Sequence, residues 1–348
     1  MKHRYIISYT LIVISFLLST SILGCESRAV DHEQVSYDER IVIKFSHVVA
    51  ENTPKGMAAR KFAELTNERT NGRVEVQIYP NSQLYKDGEE IEALQAGRVQ
   101  MIAPATAKIT TLYPQFLLFD LPFLFNSYEH VYEIVDGPIG QELIGIINGH
   151  NMVGLTMWDS GFKQIVANKQ IKSKEDFKGL NLRVMDSQLL KDQFRGLGAS
   201  TVVLPFNEVY ASLEAKTVDG LENSLSNIHS KSFHRVMPYI TISNHGYLGY
   251  VVMANDAFWS SLPEDIKEII EEVLVEVTLW QREIAMEQNN KSLRFLEGIV
   301  ANHIYNLTRE EQHDWEQAFV PVYRKYQNDI GTDLIQKIIA ARPESLTY

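Results

Sequence analysis

A chain of 348 residues that is 45% hydrophobic and 22% charged is long enough to bury one large core or two smaller ones. This composition excludes a disordered or fibrous chain, because both classes lie outside the globular range. The formal net charge of -11 excludes nucleic acid as a partner but not a small anion, since a few cationic side chains in a low-dielectric cleft can bind an anion.

The N-terminus has the features of a bacterial lipoprotein signal. Two basic residues precede a largely apolar stretch without charges, and Cys25 follows a small residue, as in a lipobox. Cys25 is the only cysteine in the sequence, which excludes an internal disulfide and a thiolate metal cluster. We therefore expect a signal peptide at 1–25, lipidation of Cys25 at the outer face of a membrane, and a polar tether at 26–40. An uncleaved membrane anchor is the alternative.

Strand and helix patterns alternate from residue 41 onward. Strands are predicted at 41–46, 73–79, 99–103, 152–158 and 181–185, and helices at 56–69, 87–96 and 188–197. Pro80 ends the second strand, while Gly97 and Gly198 end two of the helices. This β-α rhythm favours parallel sheets with crossover helices over a sandwich or a helix bundle. Residues 263–295 have few helix breakers and apolar residues at helical spacing, which predicts one or two long helices.

Known signatures of enzyme chemistry are missing from the sequence. It contains no Gly-x-Ser-x-Gly elbow, no phosphate-binding loop and no three-glycine dinucleotide fingerprint. His32 and Glu33 begin like a zinc-protease motif, but Ser36 stands in place of its second histidine. We therefore predict a protein that is not an enzyme and has no catalytic residue, cofactor or metal.

Eight segments distributed over nearly the whole mature chain carry a family resemblance. They lie at 46–56, 79–84, 120–125, 158–164, 178–184, 205–210, 218–223 and 243–246. In this order they resemble the DctP-type solute-binding proteins of tripartite ATP-independent periplasmic (TRAP) transporters. The Thr-Pro-Lys-Gly and Trp-Asp-x-Gly-Phe-Lys sequences are similar to those of dicarboxylate binders rather than sialic-acid binders.

This resemblance implies an α/β fold of the periplasmic-binding-protein type. Two lobes, joined by hinge-crossing strands and a long hinge-spanning helix, would hold the ligand in the cleft between them. The first lobe would contain 41–160 and 249–288, and the second 161–248 and 289–348. The implied function is capture of a small organic acid, a C4-dicarboxylate such as succinate, malate or fumarate, and its delivery to the membrane permease.

The resemblance also assigns three ligand-binding residues to the second lobe. Arg183 occupies the position of the family's carboxylate-clamping arginine, and its planar guanidinium offers paired donors that match both carboxylate oxygens. Asn223 matches the family's ligand-binding asparagine, although Leu221 and Ser224 replace the usual Gln and Pro beside it. Phe206 is expected to line the cleft. An ion-paired arginine, a turn asparagine and a core phenylalanine are the alternatives.

Four further candidates complete the expected site. Lys55 is the candidate for the second carboxylate, because its loop precedes a helix whose N-terminal amides favour negative charge. Thr106 would donate a hydroxyl, Trp158 would form an apolar wall beside the hinge, and His245 is the last candidate. Structural roles are the alternative for all four. Lys163 stands where sialic-acid binders carry a second arginine, which argues against that ligand.

Three other functions stay open at this point. The same fold could bind a sugar acid or another monocarboxylate, which needs no second cation. A secreted enzyme could use a site assembled through space. A binding lipoprotein could feed a sensor kinase instead of a transporter.

Overall fold

The computed structural model describes residues 40–300 and 303–343. The predicted signal peptide, Cys25 and nearly all of the tether therefore lie outside the described residues. Within these two ranges, the structure has no helix with the length and apolar character needed to cross a membrane.

The described residues contain strands and helices in alternation. The strands are β1 (Ile41–Ser46), β2 (Val74–Tyr79), β3 (Met101–Ile102), β4 (Met152–Ala167), β5 (Asn181–Val184), β6 (Ser200–Val203), β7 (Gly220–Ser224), β8 (Tyr239–Asn255) and β9 (Ile304–Asn306). The helices are α1 (Pro54–Arg69), α2 (Glu89–Gln95), α3 (Tyr128–Asp136), α4 (Pro138–Gly145), α5 (Gln188–Gly196), α6 (Val209–Glu214), α7 (Leu225–Ser230), α8 (Asp256–Ser261), α9 (Glu264–Val300), α10 (Arg309–Ile330) and α11 (Thr332–Ala340). Short 3₁₀ helices lie at Thr106–Lys108, Pro114–Asp120, Lys174–Phe177, Phe206–Glu208 and Phe233–Arg235.

The predicted strands and helices are confirmed, although the strand predicted at 99–103 is reduced to Met101–Ile102. Two other elements are longer than predicted. The strand predicted at 152–158 continues to Ala167, so that β4 is 16 residues long. The long helical region is one helix, α9, of 37 residues. Its apolar positions recur at helical spacing and are buried, which is why the sequence pattern marked it clearly.

All strands belong to one mixed sheet in the order β2-β1-β3-β8-β4-β7-β5-β6, with β9 beside β8. The outer strands pair in parallel, β1 with β2 and β3, and β5 with β6 and β7. The prediction of parallel strands with crossover helices is correct for these strands. It is wrong for the centre, where β8 runs antiparallel to β3 and β4, and β4 antiparallel to β7. Side-chain alternation has the same period in both arrangements, so the sequence pattern could not distinguish them.

The two long strands change neighbours halfway along their length. The C-terminal end of β8 pairs with β3, whereas β4 pairs with β7 only from Lys163 onward. Between these ends, the pairing of β4 with β8 shifts register between Asp159 and Gly161. Gly161 has φ +113°, and a Cβ there would lie 2.6 Å from Nδ2 of Asn289 on α9. The long helix therefore crosses the sheet where its strands change neighbours.

Five hydrogen bonds, all involving side chains of α9, fasten this helix to β4 at the crossing. Gln281 and Asn289 donate from their side-chain amides to the carbonyls of Asp159 and Ser160. The indole of Trp158 donates to Thr278 over 3.1 Å. Because buried backbone carbonyls need a partner, these side chains compensate for the irregular strand pairing.

Candidate functional site

A small cavity of about 20 Å³ lies beyond the carboxyl ends of β1, β3, β5 and β7. Its walls are Val48, Val49, Lys55, Asp87, Ala105, Arg183, Met185, Phe206, Asn223, Asn227, Leu248 and Tyr250. Ligands of open α/β sheets bind outside the carboxyl ends of strands. The cavity therefore lies where a small ligand is expected to bind.

Arg183 closes the cavity from β5 and is only 2% exposed. Its Nε and Nη2 donate to the carbonyl of Leu204 over 3.1 and 2.8 Å. Nη2 also lies 3.7 Å from Oδ2 of Asp87. These contacts hold the guanidinium at the cavity wall with a carboxylate beside it.

Lys55 reaches the cavity from the first turn of α1. Thr53 caps this helix by accepting from the backbone amide of Gly56, and Pro54 occupies its first turn. The Nζ atom of Lys55 donates to the carbonyl of Ala103 over 2.7 Å and lies 3.8 Å from the centre of the Tyr250 ring. Burial lowers the pKa of Lys55, and nearby carboxyl groups only partly restore it.

A wall of neutral polar groups connects the two cations. The side-chain amide of Asn227 donates to Oδ1 of Asn223 over 2.9 Å and to the Tyr250 hydroxyl over 3.2 Å. The backbone amide of Ser224 donates to the same Asn223 oxygen. Burial raises the pKa of Tyr250 to about 12, so its phenol is neutral at physiological pH. This wall offers hydrogen bonds without adding charge.

The structure adds two charged residues that the sequence did not single out. Asp87 lines the cavity between Arg183 and Lys108, and Nζ of Lys108 lies 3.2 Å from its Oδ2. Asp87 and Lys108 belong to the loop before α2 and to a 3₁₀ helix, where no motif marks them. Only the folded chain brings them to Arg183.

Four of the predicted site residues lie together around the cavity: Arg183, Asn223, Phe206 and Lys55. The other three are buried just outside it. Thr106 follows the lining residue Ala105, and Trp158 points to Thr278 and Phe45. His245 bonds to Glu222 and Ser243 over 2.8 and 2.7 Å.

A buried ionic cluster lies next to the cavity, at the end of β7. Lys163 Nζ is 2.7 Å from Oε1 of Glu222 and 3.7 Å from Oδ1 of Asp120. Burial alone would raise the pKa of Glu222, but Lys163 and His245 outweigh it and lower the pKa to about 2. Glu222 directly precedes the lining residue Asn223, so the cluster anchors this part of the wall. The described ranges contain no group of three or more His, Cys, Asp or Glu side chains that could hold a metal ion.

Two curated proteins are similar in sequence to this chain over most of its length. "C4-dicarboxylate-binding protein DctB" of Bacillus subtilis is 43% identical over 316 residues, which are 90% of each chain. "C4-dicarboxylate-binding periplasmic protein DctP" of Rhodobacter capsulatus is 43% identical over 307 residues, 88% of this chain and 92% of that one.

Solved structures that resemble this chain are also solute-binding proteins. A TRAP periplasmic solute-binding protein from Sulfurospirillum deleyianum with bound succinate is 41% identical, with a TM-score of 0.83 over 86% of this chain and 99% of that one. Its counterpart from Shewanella oneidensis, also with bound succinate, is 40% identical, with a TM-score of 0.85 over 87% and 100%. These neighbours confirm the predicted two-lobed binding-protein fold.

The family model described as "Bacterial extracellular solute-binding protein, family 7" matches residues 45–329. The proteins of this family bind solutes for transport and are not enzymes, in agreement with the prediction from the sequence. This chain therefore belongs to the DctP family, as an extracytoplasmic solute-binding protein of the TRAP type.

Proposed function

We propose that this protein captures a C4-dicarboxylate such as succinate, malate or fumarate and delivers it to a TRAP permease in the membrane. The observation that carries the proposal is a pair of buried cations, Lys55 and Arg183, on the walls of one small cavity. Each of them can neutralise one carboxylate of the ligand. A dicarboxylate of about eight heavy atoms with a Kd near 1 μM, about -8 kcal/mol, stays below the ceiling of ~1.5 kcal/mol per atom.

The relatives support this ligand class. Two curated relatives carry C4-dicarboxylate in their names, and two solved neighbours hold succinate. A third neighbour, from Pseudomonas aeruginosa, holds L-malate and is 37% identical with a TM-score of 0.80. The walls of the cavity combine two cations and two amide side chains with the carboxyl group of Asp87, and the pair of cations supports the same ligand class for this chain.

Each lining residue has a proposed part in binding. Arg183 forms paired hydrogen bonds to one carboxylate, and Lys55 pairs with the other. Asn223 donates a hydrogen bond, and Phe206 excludes water. Three residues just outside the cavity hold the wall and the hinge region in place: Thr106, Trp158 and His245.

A sugar acid is the second candidate, because one solved neighbour binds it. A protein from Advenella mimigardefordensis in complex with galactonate is 31% identical, with a TM-score of 0.84 over 87% of this chain. A monocarboxylate needs only one cation, however, and would leave Lys55 without a ligand carboxylate. Because Lys55 can pair with a second carboxylate, the second cation favours the dicarboxylate.

The lobe boundaries from the sequence remain part of the proposal. The change of neighbours near Gly161 in β4 and Gly249 in β8 supports a first lobe of 41–160 and 249–288 and a second of 161–248 and 289–348. Closure of the two lobes would bury the ligand and create the surface that the permease recognises. The chain after α9 contacts both parts, since Tyr323 donates to the carbonyl of Pro122 and Trp315 to that of Lys172.

Attachment to the membrane through a lipid on Cys25 is also proposed. The family description places these proteins outside the cell, and the lipobox supplies the means of retention at the membrane. Mass spectrometry of the mature N-terminus would detect a diacylated Cys25. A mature chain that begins at any other residue contradicts the lipid anchor.

A thermal-shift and calorimetry panel tests the ligand. It compares succinate, malate and fumarate with gluconate, galactonate, pyruvate and sialic acid on the same purified protein. A ligand that binds only the native state raises the melting temperature by mass action. An increase in melting temperature with the C4-dicarboxylates alone supports the proposal. An increase with a sugar acid alone would mean that the ligand is a sugar acid, while the proposed role in transport would stand.

A further inference from the structure

Glu90 is a buried carboxyl group directly behind the cavity, in the first turn of α2. It is 0% exposed, and neither of its oxygens has a hydrogen-bond partner among the described residues. Its charged neighbours come from three other parts of the fold: Lys55 on α1, Asp87 before α2 and Lys108 on a 3₁₀ helix. An ionised carboxylate so deeply buried and without hydrogen bonds has a high free energy, so burial favours the protonated form of Glu90.

Two further titratable groups, His47 and Tyr250, lie close to Lys55 and are neutral at neutral pH. Burial and the charge of Lys55 lower the pKa of His47 to about 3, which keeps its imidazole neutral. Tyr250, against Lys55, is a neutral phenol for the reason given above. The Lys163–Glu222 ion pair beyond Asn223 adds one charge of each sign. Around the cavity itself, the charge is therefore decided by three cations, Lys55, Lys108 and Arg183, and by the carboxyl groups of Asp87 and Glu90.

Charge balance favours a protonated Glu90 in the complex. If Asp87 and Glu90 are both ionised, three cations leave one net positive charge, and a bound dianion would make the closed site negative. If one carboxyl is protonated, two net positive charges match the two charges of the ligand. A neutral total is favoured because uncompensated charge is expensive in a site closed to water.

Geometry identifies Glu90 as the carboxyl that keeps the proton. Asp87 lies 3.2 Å from Lys108 and 3.7 Å from Arg183. Glu90 forms no ion pair of this kind with any described residue. Burial raises the pKa of Glu90, Asp87 raises it further, and Lys55 and Lys108 oppose this only in part.

We propose that Glu90 is a positioning residue that carries a proton in the dicarboxylate complex and thereby matches the charge of the site to a dianionic ligand. This inference rests on the proposed function. It assigns Glu90 a part in selecting dianions over monoanions without contact to the ligand.

Carboxyl carbon NMR on protein labelled at glutamate tests the proposal directly. The Glu90 resonance is assigned by its loss in Glu90→Gln, and its titration is followed in the free protein and with saturating succinate. We expect it to titrate above the ordinary glutamate range in the free protein and higher still with succinate. An ionised Glu90 in the succinate complex at neutral pH would overturn the proposal.

Calorimetry with matched variants gives a second readout. Because Gln is a neutral isostere, Glu90→Gln should retain succinate affinity at neutral pH within about threefold, like the exposed control Glu92→Gln on the same helix. A loss of more than about tenfold in Glu90→Gln alone would show that the negative charge is needed, and would also overturn the proposal. Wild-type protein that binds no C4-dicarboxylate rejects the proposed function itself, an outcome distinct from binding with an ionised Glu90.

Discussion

The guanidinium of Arg183 lies 3.7 Å from the carboxylate of Asp87, although the two residues come from opposite walls of the cavity. A ligand carboxylate that binds Arg183 must therefore share this cation with Asp87. Nearby, at the surface, Lys86 and Glu208 form a second ion pair of 2.9 Å across the same gap. Asp87 thus places a carboxylate beside the cation that we propose binds the ligand.

Replacing Arg183 by alanine should weaken succinate binding at least about tenfold, because a charge-assisted hydrogen bond is worth ~1.5–3 kcal/mol. Isothermal calorimetry measures the affinity, and circular dichroism checks the fold. The matched control is Arg195→Ala, which removes an exposed arginine from the end of α5. Equal affinities in the folded Arg183→Ala variant and in the control would refute the role of Arg183.

Replacing Asp87 by asparagine should strengthen succinate binding by about threefold or more, because Lys108 and Arg183 lose a competing carboxylate. Calorimetry on the variant measures this change. Glu208→Gln is the control, since the Lys86 pair is largely exposed and such pairs contribute little. Weaker binding in Asp87→Asn would mean that Asp87 orients the cations more than it competes for them.

Replacing Glu222 by glutamine should destabilise the protein at neutral pH by about 3 kcal/mol or more, because Lys163 loses its closest anionic partner in the buried cluster. The pKa of Glu222 is lowered on folding to about 2, so its stabilising effect is present above the ordinary glutamate pKa. This effect is lost as the pH falls from that value toward 2.

Urea denaturation at neutral and acidic pH measures this difference. The difference in the free energy of unfolding between the wild type and Glu222→Gln should become smaller at acidic pH. Glu214→Gln, at an exposed position on α6, should follow the wild type throughout. A difference in the free energy of unfolding that does not change with pH would contradict the ionised state of Glu222.

Replacing Gly161 by alanine should destabilise the protein by about 2 kcal/mol or more, because strain and overpacking combine. Its φ of +113° disfavours a side chain, and the new Cβ would lie 2.6 Å from Asn289 Nδ2 and 2.8 Å from the Tyr128 hydroxyl. Gly145→Ala is the control, since a Cβ there meets no atom within 4 Å. Thermal unfolding compares the two variants. Equal melting temperatures would show that the backbone around Gly161 accommodates the added methyl group without a loss of stability.

The sequence by itself determined the local elements and the family. Period-two alternation in β1 and helical spacing in α9 report which face is buried, because that information is contained in neighbouring residues. The eight segments indicated the family, and four of the seven predicted site residues surround one cavity. Strand direction was not determined, because parallel and antiparallel strands share one alternation.

Only the tertiary structure decided which charges meet in the site. Asp87, Glu90 and Lys108 come to lie around Lys55 and Arg183 through the pairing of distant strands. No sequence pattern showed that Asp87 would gain two cationic neighbours while Glu90 would be buried without a hydrogen bond. The physical reason is that the charge state of a carboxyl group depends on its burial and on its neighbours in space, and both are properties of the folded chain.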